Sequence, residues 1–71
     1  MTPAQCRAAR GLIHMTINAL AEAADVLATS IWDFEEKVAD TVLPANVEAM
    51  RTALEKAGVE FIERGVRLKD A

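Results

Sequence analysis

Residues 16–37 read TINALAEAADVLATSIWDFEEK, and this stretch decides the fold. Thr16 is suited to cap a helix whose inward face is Leu20, Ala21 and Ala24, spaced for one side of a 3.6-residue period. Asp25-Val26-Leu27 interrupts that period. Asp tolerates a left-handed backbone better than most residues, although Gly does so best. Ile31 and Phe34, three apart, then mark one side of a following helix over residues 28–36. The stretch predicts two short helices joined by a turn of three residues.

Working outward, Thr2-Pro3 starts a helix upstream, since Thr caps and Pro is tolerated at the first helical position. Cys6, Ala9, Leu12 and Ile13 give it an apolar stripe, and His14-Met15 breaks it. Downstream, residues 37–43 lack periodicity and predict a loop. Pro44 opens a fourth helix traced by Val47, Met50, Ala53, Leu54 and Ala57, with Gly58 placed to end it in a left-handed cap. Beyond Gly58 the pattern becomes short and alternating: Val59-Glu60-Phe61, a turn at Glu63-Arg64-Gly65, then Val66-Arg67-Leu68-Lys69. Two readings stand for this end, a small hairpin or a frayed tail, because a lone two-stranded hairpin is barely stable unless it packs on something. The division is a helical domain over 1–58 and an extended segment over 59–71.

Whole-chain chemistry narrows the function classes. Seventy-one residues allow one domain with a modest core, and dimerisation would add to its stability. Cys6 is the only cysteine and His14 the only histidine, which leaves no internal disulfide, no cysteine-based zinc site and no Ser/His/Asp cluster. No nucleophile–base pair or phosphate loop is present, so an enzyme is not expected, and neither is a cofactor or metal. The N-terminus has no charged start followed by an apolar run, and no stretch nears the roughly 20 apolar residues of a membrane span. A cytoplasmic protein is the expectation. The net charge of −3 argues against indiscriminate binding to polyanions, although local distribution matters more than the total.

Two short helices around a tight turn, with a helix before and after, form the helix-turn-helix plan. Leu20-Ala21-Glu22-Ala23-Ala24, then Val26, Ile31 and Asp33-Phe34-Glu35, resemble the Cro/C1-type (XRE-like) helix-turn-helix family. The runs TPAQCRAAR (2–10), PANVEAMR (44–51), GVEFI (58–62) and GVRL (65–68) look like one bacterial subgroup of small regulators, so the resemblance covers nearly the whole chain. It implies a mostly α, four- to five-helix, lambda-repressor-like domain with a short C-terminal β-hairpin or extended segment. Ala21 would let the two helices approach, and Val26 and Ile31 would fill the space beneath the turn. The resemblance also implies an ion pair between Arg10 and Glu35, bracing the first helix against the end of the third.

A regulator of this type places the start of its third helix in the major groove, gaining affinity from Lys and Arg on phosphates. Residues 16–37 instead hold five acids (Glu22, Asp25, Asp33, Glu35, Glu36) and one base, Lys37, for a net of −4. Where the family commonly carries Gln, Gly, Ser, then Arg or polar residues, this chain has Ile17, Asp25, Leu27, Ala28 and Trp32. Thr16, Asn18, Thr29 and Ser30 keep neutral hydrogen-bonding groups. Ile17, Leu27, Ala28 and Trp32 suggest an exposed apolar patch centred on Trp32, a residue enriched at interface hot spots. The plainer alternatives are that Trp32 packs on the core edge or the 37–43 loop, and that Leu27 tucks beneath the turn.

The functional expectation is a small transcriptional regulator binding double-stranded operator DNA as a homodimer through Thr16, Ile17, Asn18, Leu27, Ala28, Thr29, Ser30 and Trp32. The alternative is a helix-turn-helix protein that has given up DNA for a regulatory protein partner such as a transcription activator, using the same surface as an antiactivator. Val59, Phe61, Val66 and Leu68 are the candidate dimer contacts, whether the hairpin forms within one chain or joins two. Arg64, Arg67 and Lys69 alternate with Glu60, Glu63 and Asp70, which suits a solvated strand face better than a phosphate-binding one.

Overall fold

The computed structural model describes residues 1–37 and 39–69. Four helices come first: α1 Pro3–Leu12, α2 Ile17–Ala24, α3 Ala28–Trp32 and α4 Pro44–Lys56. A π-helical turn, Asp33–Lys37, continues directly from α3, and a 3-10 turn, Ala39–Thr41, sits before α4. Two strands close the chain, β1 Val59–Ile62 and β2 Gly65–Leu68.

Local chemistry accounts for most of the boundaries. The Thr2 hydroxyl accepts from the Gln5 backbone N–H (3.1 Å) while the Gln5 side-chain oxygen accepts from the Thr2 N–H (2.9 Å), a reciprocal cap on α1. Thr16 caps α2 through the Ala19 N–H at 3.0 Å. Pro44 occupies the first turn of α4, where its missing N–H costs nothing. Asp25 ends α2 in the left-handed conformation at φ 56°, as the break at Asp25-Val26-Leu27 predicts. The 28–36 helix is different from its expected form: the α register stops at Trp32 and the chain widens into the π turn. The 37–43 segment is less irregular than expected, because it holds the 3-10 turn.

A left-handed conformation costs an L-residue about 1 kcal/mol that glycine avoids. Asp25→Gly removes that cost, offset in part by the greater entropy of glycine in the unfolded chain, so stability should rise by about 0.5 kcal/mol, read as a higher urea midpoint at unchanged m-value. An equal or lower midpoint would mean that the Asp25 side chain contributes something the backbone argument omits.

The core lies where α1, α2, α3 and α4 meet under the hairpin. Leu20, Ile31, Met50, Leu54, Val59, Cys6 and Ala9 are fully buried, with Ala21, Phe34 and Ala53 nearly so. Val26 packs against this cluster beneath the turn. Leu12 and Ala57 do not join it; both are exposed, so the apolar stripes of α1 and α4 are each one residue shorter than their sequence spacing suggests.

The hairpin forms within the chain. Val59 faces Leu68, Glu60 faces Arg67, Phe61 faces Val66 and Ile62 faces Gly65 in an antiparallel register. Gly65 belongs to β2, so only Glu63 and Arg64 make the turn, Arg64 at φ 62°. The hairpin is stable here because it is fastened on three sides. Val59 is sunk in the core. The Gln5 amide that helps cap α1 donates to the carbonyls of Ile62 (2.8 Å) and Gly65 (3.1 Å). Arg51 of α4 lies over the Phe61 ring, 5.2 Å from its centroid.

Candidate functional site

Two features converge on the α2–α3 region: a buried ionic brace that fixes it, and the surface that it presents. The brace is the pairing of Arg10 with Glu35. Arg10 Nε donates to Glu35 Oε2 at 2.8 Å and Nη2 donates to Oε1 at 2.7 Å, a two-pronged contact that matches the planar guanidinium to the carboxylate. The Glu35 side chain is completely buried, and that of Arg10 is 17% exposed. Cys6 donates its thiol hydrogen to Glu35 Oε2 at 3.1 Å. Arg10 Nη1 donates to the Met15 carbonyl and Arg7 Nη2 to the Glu35 carbonyl. Arg7 also pairs with Glu36 at 3.3 Å. The π turn thus lies clamped along α1 by two arginines.

Burial pushes the Glu35 carboxyl up, but the hydrogen bonds from Arg10 and Cys6, with the positive charges of Arg10 and Arg7, outweigh it and hold the group below the usual carboxylate range. The same burial and the Glu35 charge push the Cys6 thiol far up, so it stays protonated. A carboxyl whose folded pKa is depressed contributes stability that is fully present above its unfolded pKa, about 4.3, and is lost as pH falls through the folded value. The stability advantage of wild type over Glu35→Gln should therefore hold from neutral pH to about pH 5 and shrink below that. Urea midpoints across this range check it, and an advantage independent of pH would contradict it.

The clamp also changes the charge of the surface. The −4 of residues 16–37 includes Glu35 and Glu36, both of which are matched by arginines of α1; counting Arg7 and Arg10 with the segment leaves −2. Glu22 and Asp25 remain exposed and Asp33 half-exposed, each without an ion-pair partner among the described residues. No Lys or Arg lies on α2 or α3.

The eight residues expected on this surface divide into three groups. Ile17 and Ala28 are half-buried and pack against the core, so neither presents an exposed apolar side chain. Leu27 is 73% exposed, which sets aside a tucked Leu27. Trp32 is 50% exposed, so half of its side chain is covered, as packing over the core edge or the loop would also give. Thr16, Asn18 and Thr29 are exposed and Ser30 half-exposed, with the Thr16 hydroxyl already accepting the Ala19 N–H. Leu27 stands at the N-cap of α3 and makes no side-chain hydrogen bond there.

Sequence reasoning missed Leu43, which is 66% exposed at the N-cap of α4, again without a capping bond. Its signal was available: a leucine directly before a helix-starting proline holds a position where Ser, Thr, Asp or Asn would stabilise the helix. The candidate dimer contacts are redistributed too. Val59 is core and cannot face a second chain, Phe61 and Val66 are half-buried, and Leu68 remains 54% exposed.

Among the described residues no cluster of His, Cys, Asp or Glu is placed to hold a metal, and no helix is long and apolar enough to cross a membrane. Comparison with family models, curated proteins and solved structures finds no match to this chain.

Proposed function

We propose that this chain is a cytoplasmic regulatory protein of the Cro/C1 helix-turn-helix form whose α2–α3 face docks on a protein, with a transcription activator as the partner it restrains. The observation that carries this reading is the exposure of two large apolar side chains, Leu27 and Trp32, at the two ends of α3, with no cation on α2 or α3. Exposed apolar groups on a segment that also carries Glu22, Asp25 and Asp33, none of them ion-paired among the described residues, fit a partner pocket edged with Lys or Arg, whereas DNA would meet those acids.

Leu27 gives the sharpest test, because its effects on stability and on binding run in opposite directions. Leu27→Ser supplies the absent cap of α3 and should add about 1 kcal/mol of stability. It should also weaken partner capture at least tenfold. A residue kept for the fold would not show that split; unchanged capture of an otherwise more stable variant would sink the proposal.

A second reading, operator binding by a dimer, is favoured by the exposure of Asn18 and Thr29, whose neutral groups suit base edges or phosphates. It predicts that duplex binding survives Leu27→Ser.

A further inference from the structure

An open groove of about 480 Å³ runs between the C-terminal half of α2 and the outer face of α4, floored by Ala24, Ala49 and Ala53 and edged along α4 by Glu48, Thr52 and Lys56. It lies away from the α3 residues that carry the proposed function. The geometry points to a second copy of this chain as its occupant, with the two α4 helices packed antiparallel about a two-fold axis at Thr52.

The charges select that occupant. Glu48 and Lys56 make no ion pair among the described residues, whereas the other two charged residues of α4, Arg51 and Glu55, already engage each other at 3.4 Å. Glu48 and Lys56 lie eight residues apart, about 12 Å along the helix, with Thr52 midway. Rotation by a half-turn about Thr52 therefore places each Glu48 against Lys56 of the second copy, twice over. An isologous interface needs such a self-complementary patch. The alanine floor permits helix axes to approach to about 8 Å, and antiparallel helices oppose their dipoles favourably. Self-association is thereby assigned to α4 rather than to the hairpin, where Val59 is committed to the core.

Sedimentation of the full chain over a concentration series tests this. Wild type should show a monomer–dimer equilibrium that weakens with added salt. Glu48→Lys and Lys56→Glu should each weaken it at least tenfold, because each homodimer then sets like charges face to face. An equimolar mixture of the two variants should recover dimers, since every introduced charge meets its opposite in the mixed pair. Thr52→Arg, which brings like charges together on the axis, should abolish association on its own. All three positions are solvent-exposed, so melting curves should stay near wild type. A monomeric wild type, a dimer indifferent to the single substitutions, or variants that fail to recover on mixing would each overturn the assignment.

Discussion

Arg10→Ala should lower the melting temperature by about 15–30 °C, a loss on the scale of a large core deletion. The reasoning starts from Glu35, whose side chain is fully buried and whose two oxygens are both engaged by the Arg10 guanidinium. Removing one partner of a buried pair leaves the other charge uncompensated, at a cost of about 3–5 kcal/mol. For a chain of this size each kcal/mol moves the midpoint by about 4–8 °C. The carboxyl left behind keeps the Cys6 thiol and the charge of Arg7 but loses its two charge-assisted hydrogen bonds, so burial should then push its pKa up. Replacing both partners with apolar residues, Arg10→Met with Glu35→Leu, should recover much of the loss, because no charge is then stranded. Arg7→Ala should cost far less, since the Arg7 side chain is 53% exposed and its pairing with Glu36 is screened. Scanning calorimetry of the four proteins would decide it; Arg10→Ala melting within a few degrees of wild type would show that the pair does not brace the fold.

Trp32→Ala should weaken partner binding at least 30-fold while leaving the fold nearly intact. Half of Trp32 is in solvent, so its truncation opens no sealed cavity, and the melting temperature should move by only a few degrees. At an interface the same indole is the largest apolar group on the face. Truncating a central Trp costs about 2 kcal/mol or more, which is the stated fold-change. Stability and binding thus separate at Trp32, with a small change in the first and a large one in the second. Arg10→Ala gives the reverse pattern, since its damage begins in the scaffold.

The frame was legible because its signals are local. Thr2, Thr16 and Pro44 announce their helices through capping chemistry, and Asp25 and Gly58 mark ends through backbone conformation. The pairing of Arg10 with Glu35 came from resemblance rather than spacing, and the geometry bears it out. What the sequence hid is set by tertiary contact. The π turn coincides with the segment in which Phe34 enters the core while Glu35, its neighbour, reaches α1. No local propensity specifies that divergence. Periodicity alone could not separate Ile17 and Ala28, which sink against the core, from Leu27 and Trp32, which stay out. The count of −4 misled by a factor of two, because the arginines that offset it lie on α1. No spacing or pattern marks Gln5, yet its amide fastens the hairpin from the far end of the chain.

The proposed function rests on protein docking at Leu27 and Trp32 of the α2–α3 region. Its most direct test is a salt titration of wild type and Trp32→Ala against the activator captured from the native source, with duplex fragments of the same genome as the competing ligand. The activator should be bound with an affinity changing less than tenfold between about 50 and about 200 mM salt, and Trp32→Ala should lose it. Duplex bound equally by both proteins, with an affinity falling about a thousandfold over that range as phosphate counterions are released, would contradict it.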